Sequence, residues 1–88
     1  MQIEIDSPAR LGQIVRAVRK AQRIRQDDAA GSIGVSENFL SKIERGGDTV
    51  QWAKLHQVLT GLGIRLMADL PEEVAGALPA PKARKEST

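Results

Sequence analysis

The stretch from Gln26 to Arg45, QDDAAGSIGVSENFLSKIER, constrains this chain more than any other, because it has room for only two short helices and a tight turn between them. Gln26 to Ile33 places Ala29, Ala30 and Ile33 on one side of a helix, with Asp27 and Asp28 in the first turn, where the helix dipole favours acids. Gly34 then breaks the helix, and a turn this tight needs a positive φ, which glycine adopts without a Cβ clash. Ser36 offers an N-cap to a following helix running to about Arg45, and Gly46-Gly47 ends it. Ala30 is small where the two helices cross closely. Ala29, Ile33, Val35, Leu40 and Ile43 are apolar where they share a core. Glu37, Asn38, Ser41, Lys42 and Arg45 are left facing outward. This is the layout of a helix-turn-helix unit, whose second helix enters the major groove of DNA.

The flanking sequence supplies a scaffold. Ser7 followed by Pro8 is a helix start, a hydroxyl cap and then a ring whose fixed φ suits the first turn. Leu11, Ile14, Val15 and Val18 recur at spacings of three and four, which predicts a helix to about Gln22. A fourth helix fits from about Val50 to Thr60, burying some of Val50, Trp52, Leu55, Val58 and Leu59, and is stopped by Gly61 and Gly63. Ile64, Leu66, Ala68 and Leu70 alternate with Arg65, Met67 and Asp69 as a strand does, and Gln2 to Ile5 alternates too briefly for more than an edge strand. A helical turn is expected over Glu72 to Leu78, and the Pro-, Ala- and Lys-rich tail from Pro79 is expected to be disordered. The expected organisation is one helix-turn-helix and dimerisation domain over 1–70 and a flexible extension over 71–88.

Charge supports a polyanionic partner through its distribution rather than its sum. The formal net charge is only +2, but Arg10, Arg16, Arg19, Lys20, Arg23 and Arg25 follow one another without an intervening acid. The bland alternative is a solvated helix face. Without cysteine there is neither a disulfide framework nor a cysteine zinc site, and His56 alone builds no metal site. No cofactor is expected, no nucleophile or phosphate loop accompanies the acids, and an enzyme is not expected. No apolar run approaches the roughly 20 residues of a membrane span, so the expectation is a soluble, cytoplasmic protein that joins the bacterial nucleoid when it binds DNA.

The run Gln26, Ala30, Ile33, Gly34, Val35, Leu40, Ile43 and Glu44-Arg45-Gly46 resembles the XRE/Cro family of regulators, and the likeness extends from about Leu11 to Leu62. It implies a mainly α fold, a lambda-repressor-like bundle of four to five short helices, binding double-stranded operator DNA. Carried onto matching positions, the resemblance has Gln26 bonding a phosphate and bracing the third helix, and Ser36 capping that helix and touching phosphate. Glu37, Asn38 and Lys42 stand where the family reads base edges: Asn38 suits adenine, Lys42 guanine, and Glu37 cytosine N4. Ser41 and Arg45 suit backbone contact. Arg19 and Glu44 match a structural ion pair. Three departures bear on local stability. Arg23 stands at a usual glycine, where a left-handed conformation costs about 1–2 kcal/mol. Arg25 replaces a Thr or Ser cap, losing about 1 kcal/mol while gaining a phosphate contact. Gly31 weakens its helix by roughly 1 kcal/mol relative to alanine.

The ending LTGLGIRLMADL resembles the C-terminal element of HipB-type antitoxins, in which strands from two subunits pair. An isolated strand has two unpaired edges and needs a partner. Ile64, Leu66, Ala68 and Leu70 are therefore the expected dimerisation residues, facing a second copy or Gln2 to Ile5. The resemblance implies a homodimeric repressor, the antitoxin of a toxin–antitoxin pair that binds a HipA-like kinase toxin. A stand-alone XRE regulator is one alternative. A protein-interaction module that keeps the fold without binding DNA is another, for which Asp27, Asp28 and Glu37 near the DNA face speak. Individual residues also have plain structural readings: Glu37 as a first-turn acid, Phe39 as edge packing, Trp52 as core or dimer interface, His56 as an exposed or partly buried residue of the fourth helix.

Overall fold

A computed structural model describes residues 1–79 of the chain; most of the expected disordered tail, from residue 80 on, lies outside the described residues. Four α-helices and one 3₁₀ helix follow in order: α1 Pro8–Ala21, α2 Gln26–Ile33, α3 Glu37–Glu44, α4 Trp52–Gly61 and the 3₁₀ helix Glu72–Ala77. The fold is the expected mainly helical bundle. Val15 of α1, Ala29 and Ala30 of α2, Leu40 and Ile43 of α3, and Leu55, Val58, Leu59 and Leu62 of α4 and its end form one buried core. Leu40 and Leu59 are fully enclosed, each worth about 1.5–3 kcal/mol over an exposed side chain.

Helix ends follow from single residues. Ser7 Oγ accepts the Arg10 N–H at 3.1 Å and Pro8 opens α1. Ser36 Oγ accepts the Phe39 N–H at 3.0 Å, which starts α3 abruptly after the turn. Gly34, at φ 98°, lets both its own N–H and that of Val35 return to the Ala30 carbonyl. Arg23 ends α1 in the same left-handed region, at φ 60°. Its N–H bonds the Lys20 carbonyl and that of Ile24 bonds the Arg19 carbonyl, so the termination motif usually built on glycine forms with arginine in place. Arg25 makes no side-chain cap at α2.

Four features differ from the sequence expectation. α4 starts at Trp52, and Val50 packs on the core from the preceding loop. Trp52 is not a core residue: it is 63% exposed in the first turn of α4, tilted over the His56 ring at 6.0 Å. Gln2 to Ile5 forms no strand, and Ile3 and Ile5 are exposed. Residues 64–70 form no ladder among the described residues, with Leu66, Met67 and Leu70 exposed. A single strand finds no backbone partner within one chain unless another strand lies beside it.

Gly12, in the second turn of α1, sets how closely α3 approaches. A Cβ there would run into the Ile43 carbonyl oxygen, lie 2.9 Å from that of Glu44 and 3.0 Å from the Gly46 nitrogen. All three obstacles are backbone, so the end of α3 would have to shift bodily. Gly12→Ala is expected to destabilise the chain by about 1–3 kcal/mol, the usual cost of overpacking, despite alanine's better helix propensity. A thermal melt checks this; an unchanged or raised midpoint would refute the contact.

Candidate nucleic-acid interface

The orientation of α3 is set at its C-terminal end by a buried polar network. Arg19 donates to Glu44 twice, Nε to Oε2 at 2.6 Å and Nη2 to Oε1 at 2.9 Å. Its remaining terminal nitrogen, Nη1, donates to the Ile24 carbonyl at 2.9 Å. Gln26 Nε2 donates to Glu44 Oε1 at 3.0 Å. The two charged side chains are only 10% and 4% exposed. Hydrogen bonding to Glu44 raises the Arg19 pKa above its ordinary value and outweighs the opposing effect of burial, so the guanidinium remains charged. The structure thus brings together Arg19 from α1, Gln26 from the start of α2 and Glu44 from the end of α3.

With that end fixed, the outward face of α3 carries Glu37, Asn38 and Lys42, all exposed, and Ser41, half-buried. Arg45 follows as the C-terminal cap, also exposed. Asn38 makes no side-chain hydrogen bond among the described residues and is open to a ligand. Arg45 Nη1 donates to Ser41 Oγ one turn earlier. Lys42 is directed away from the centre of this face: it runs over Gly47, and its Nζ donates to the Thr49 carbonyl at 2.6 Å in the loop between α3 and α4. Arg25 is held by Asp27, Nη2 to Oδ2 at 2.9 Å, but the pair is largely exposed, with side chains 78% and 43% accessible, and such pairs are worth little. Ser36 lies exposed at the head of α3, its Oγ committed to the cap.

Two parts of this surface are not legible in the sequence. The Thr49 carbonyl that holds Lys42 carries no side-chain signal. Lys54, from the first turn of α4, places Nζ 6.0 Å from the centroid of the Phe39 ring, a proximity that arises only in the folded chain. Phe39 itself is partly buried and packs against the core. The dimerisation candidates Ile64, Leu66, Ala68 and Leu70 stand apart from α3, beyond the C-terminal end of α4.

Two crossed helices joined at a left-handed glycine, with a polar outward face on the second, define the helix-turn-helix class. The chain belongs to it: the family model of the helix-turn-helix domain, HTH_31, matches residues 10–70. Among HTH-type transcriptional regulators it is 44% identical over 69 residues to the protein described as uncharacterized HTH-type transcriptional regulator y4mF of Sinorhizobium fredii, covering 78% of this chain and 91% of that one. Its fold matches that of HipB in the HipA–HipB–O2–O3 complex, with a TM-score of 0.71 and 22% identity over 77% of this chain and 96% of that one. HipB in complex with the O4 20mer matches equally well, again with a TM-score of 0.71 and 22% identity. The restriction-modification controller protein C.AhdI of Aeromonas hydrophila is also similar, with a TM-score of 0.59 and 26% identity over 66% of this chain and 84% of that one.

Removing one partner of the Arg19–Glu44 pair strands a buried charge. Arg19→Met alone is expected to cost about 3–5 kcal/mol, and Arg19→Met with Glu44→Leu much less, since replacing a whole buried pair by apolar groups is often neutral. Chemical denaturation of the single and double variants checks this. A double variant as unstable as the single would show that packing, rather than charge, is what the pair supplies.

Proposed function

We propose that this chain is a sequence-specific double-stranded-DNA-binding transcriptional repressor that acts as a homodimer. In this reading it is the antitoxin of a HipBA-like module, repressing its own operon and binding a kinase toxin. The observation that carries the proposal is the outward face of α3, exposed and polar from Glu37 to Lys42, on a scaffold shared with nearly the whole of HipB in its complexes. Asn38 is the principal base reader, with Glu37 beside it. Gln26, Ser36, Ser41 and Arg45 border the groove, as does Arg25 once it leaves Asp27. Lys42, whose Nζ is held on the Thr49 carbonyl, lies at the edge of this face rather than at its centre. A second reading is favoured by the similarity to the controller protein C.AhdI: a regulator that serves no toxin. A neighbouring kinase-like gene whose product co-elutes with this chain would support the antitoxin; a locus without one would leave the stand-alone regulator.

Dimerisation rests on residues 64–70. Ile64 packs partly on the core, while Leu66 and Leu70 are 44% and 48% exposed in the single chain. Pairing these segments across a two-fold axis would cover them and supply the missing ladder. It would also set two α3 helices about 34 Å apart, one turn of B-DNA, to meet a symmetric operator.

Two experiments test this. Titration of a 20-bp duplex from the chain's own upstream region and of a random 20-bp duplex, at several salt concentrations, is expected to show tight, salt-dependent binding with preference for the upstream DNA. Asn38→Ala should lose about 1–3 kcal/mol on the upstream duplex alone, as a good bidentate contact does; equal loss on both duplexes would remove Asn38 from base reading. Truncation before Ile64 is expected to give a monomer by light scattering, and a truncated chain that stays dimeric would move the interface elsewhere.

A further inference from the structure

The cations around α3 are unevenly neutralised. On the side facing the start of α2, Arg25 is paired with Asp27, Asp28 lies exposed one residue on, and Glu37 occupies the first turn of α3. On the side facing the α3–α4 loop and the start of α4, the cations are not paired with a carboxylate among the described residues. Lys42 donates to a backbone carbonyl, which is neutral. Lys54 is seated over the ring of Phe39 and has no carboxylate partner among the described residues. The only two ion pairs among the described residues, Arg19–Glu44 and Arg25–Asp27, both lie away from this flank.

Helical geometry places the two lysines together. At about 100° per residue, Phe39 and Lys42 sit some 60° apart around α3, with Asn38 on the far side of Lys42. Phe39 is therefore the edge where the outward face turns into the core, and a cation over its ring lies beside that face rather than behind it. A major groove about 12 Å wide is bordered by two phosphate backbones. A helix lying in it presents one flank to each.

We propose that Lys54, together with Lys42, is a phosphate-binding site on the α4 flank of α3, and that this flank supplies more of the electrostatic grip on DNA than Arg25 does on the other. The proposal rests on the reading of the chain as a DNA-binding protein and adds to it a residue outside the helix-turn-helix unit. Phe39 positions Lys54: the ring holds the ammonium along α3 without neutralising it, so the charge remains available to a phosphate oxygen. Lys42 held on Thr49 supplies the second charge and fixes the α3–α4 loop. A lysine contacts phosphate as a point charge, without base preference.

The test is the salt dependence of binding, read for the wild-type chain, Lys54→Gln and Arg25→Gln on the upstream and random 20-bp duplexes. Losing one phosphate contact lowers the slope of log affinity against log salt by about 0.9. Lys54→Gln is expected to show that drop and to weaken binding by the same factor on both duplexes, with Lys54→Arg restoring the slope. Arg25→Gln is expected to change the slope less. Lys54 is exposed, so thermal melts of the variants should coincide with that of the wild type. A Lys54→Gln slope equal to that of the wild type, or a loss confined to the upstream duplex, would overturn the phosphate site while leaving the DNA-binding reading intact. A wild-type chain whose binding does not depend on salt would overturn both.

Discussion

The buried pair of Arg19 and Glu44 is the constraint on which the rest of the structure depends. Taking a guanidinium and a carboxylate out of water costs several kcal/mol per ion, and Coulomb attraction offsets this only when the geometry is good and the remaining hydrogen-bonding capacity is used. Both conditions are met here: Arg19 spends its third nitrogen on the Ile24 carbonyl, and Glu44 accepts a further bond from Gln26. One polar cluster therefore ties the end of α1, the start of α2 and the end of α3. The apolar core is more permissive. Leucine, isoleucine and valine of about the right volume hold helices together, yet they tolerate small rotations that a two-point ion pair does not. The direction in which α3 faces outward is thus fixed by polar geometry, and Gly12 sets how close α3 comes.

How far the sequence reveals this differs from residue to residue. Helix starts at Ser7 and Ser36 and the turn at Gly34 are local events, decided by a hydroxyl within reach of a backbone N–H or by a backbone angle, and local events leave local signals. Arg23 belongs with them: its left-handed φ follows from its place one residue past the end of α1, even though the residue type argues against it. The approach of α3 to Gly12 is of another kind. A glycine inside an amphipathic helix is conspicuous because it weakens the helix by about 1 kcal/mol, but the sequence does not say which backbone will come against it. Trp52 misleads in the opposite way, since its size suggests a core residue while its position in the first turn of α4 leaves it beyond the core's edge.

The candidate interface shows the same division. Periodicity is enough to place Glu37, Asn38, Ser41, Lys42 and Arg45 on one face of α3. Where a long side chain ends is not a matter of periodicity. Lys42 has four methylenes, and its ammonium finds the Thr49 carbonyl because Gly47 leaves space for the stem to pass. Lys54 reaches Phe39 only through the way the start of α4 is placed by the fold. Flexible cations settle wherever a nearby acceptor or ring lowers their energy, so the electrostatics of the surface depend on loops and on neighbouring helices that the face itself does not encode. A formal net charge of +2 conceals one neutralised flank and one cationic flank.

The segment after α4 would join this local geometry to the proposed dimer. In the single chain Leu66, Met67 and Leu70 remain exposed, and a domain of this size buries only about two thirds of the surface its unfolded chain exposes. Covering that segment against a second copy would lower free energy without altering the core. The connection back to α3 runs through close contacts. Gly61, at the end of α4, lies so close to Ile33 of α2 that a Cβ would come within 2.7 Å of it, and α2 in turn is joined to α3 through Gln26 and Glu44. The spacing of two α3 helices across a dimer axis would then be inherited through close contacts rather than through a flexible linker. A symmetric operator would select the proposed dimer only if that spacing were held, which would give the polar and glycine contacts around the apolar core a functional reason to be tight.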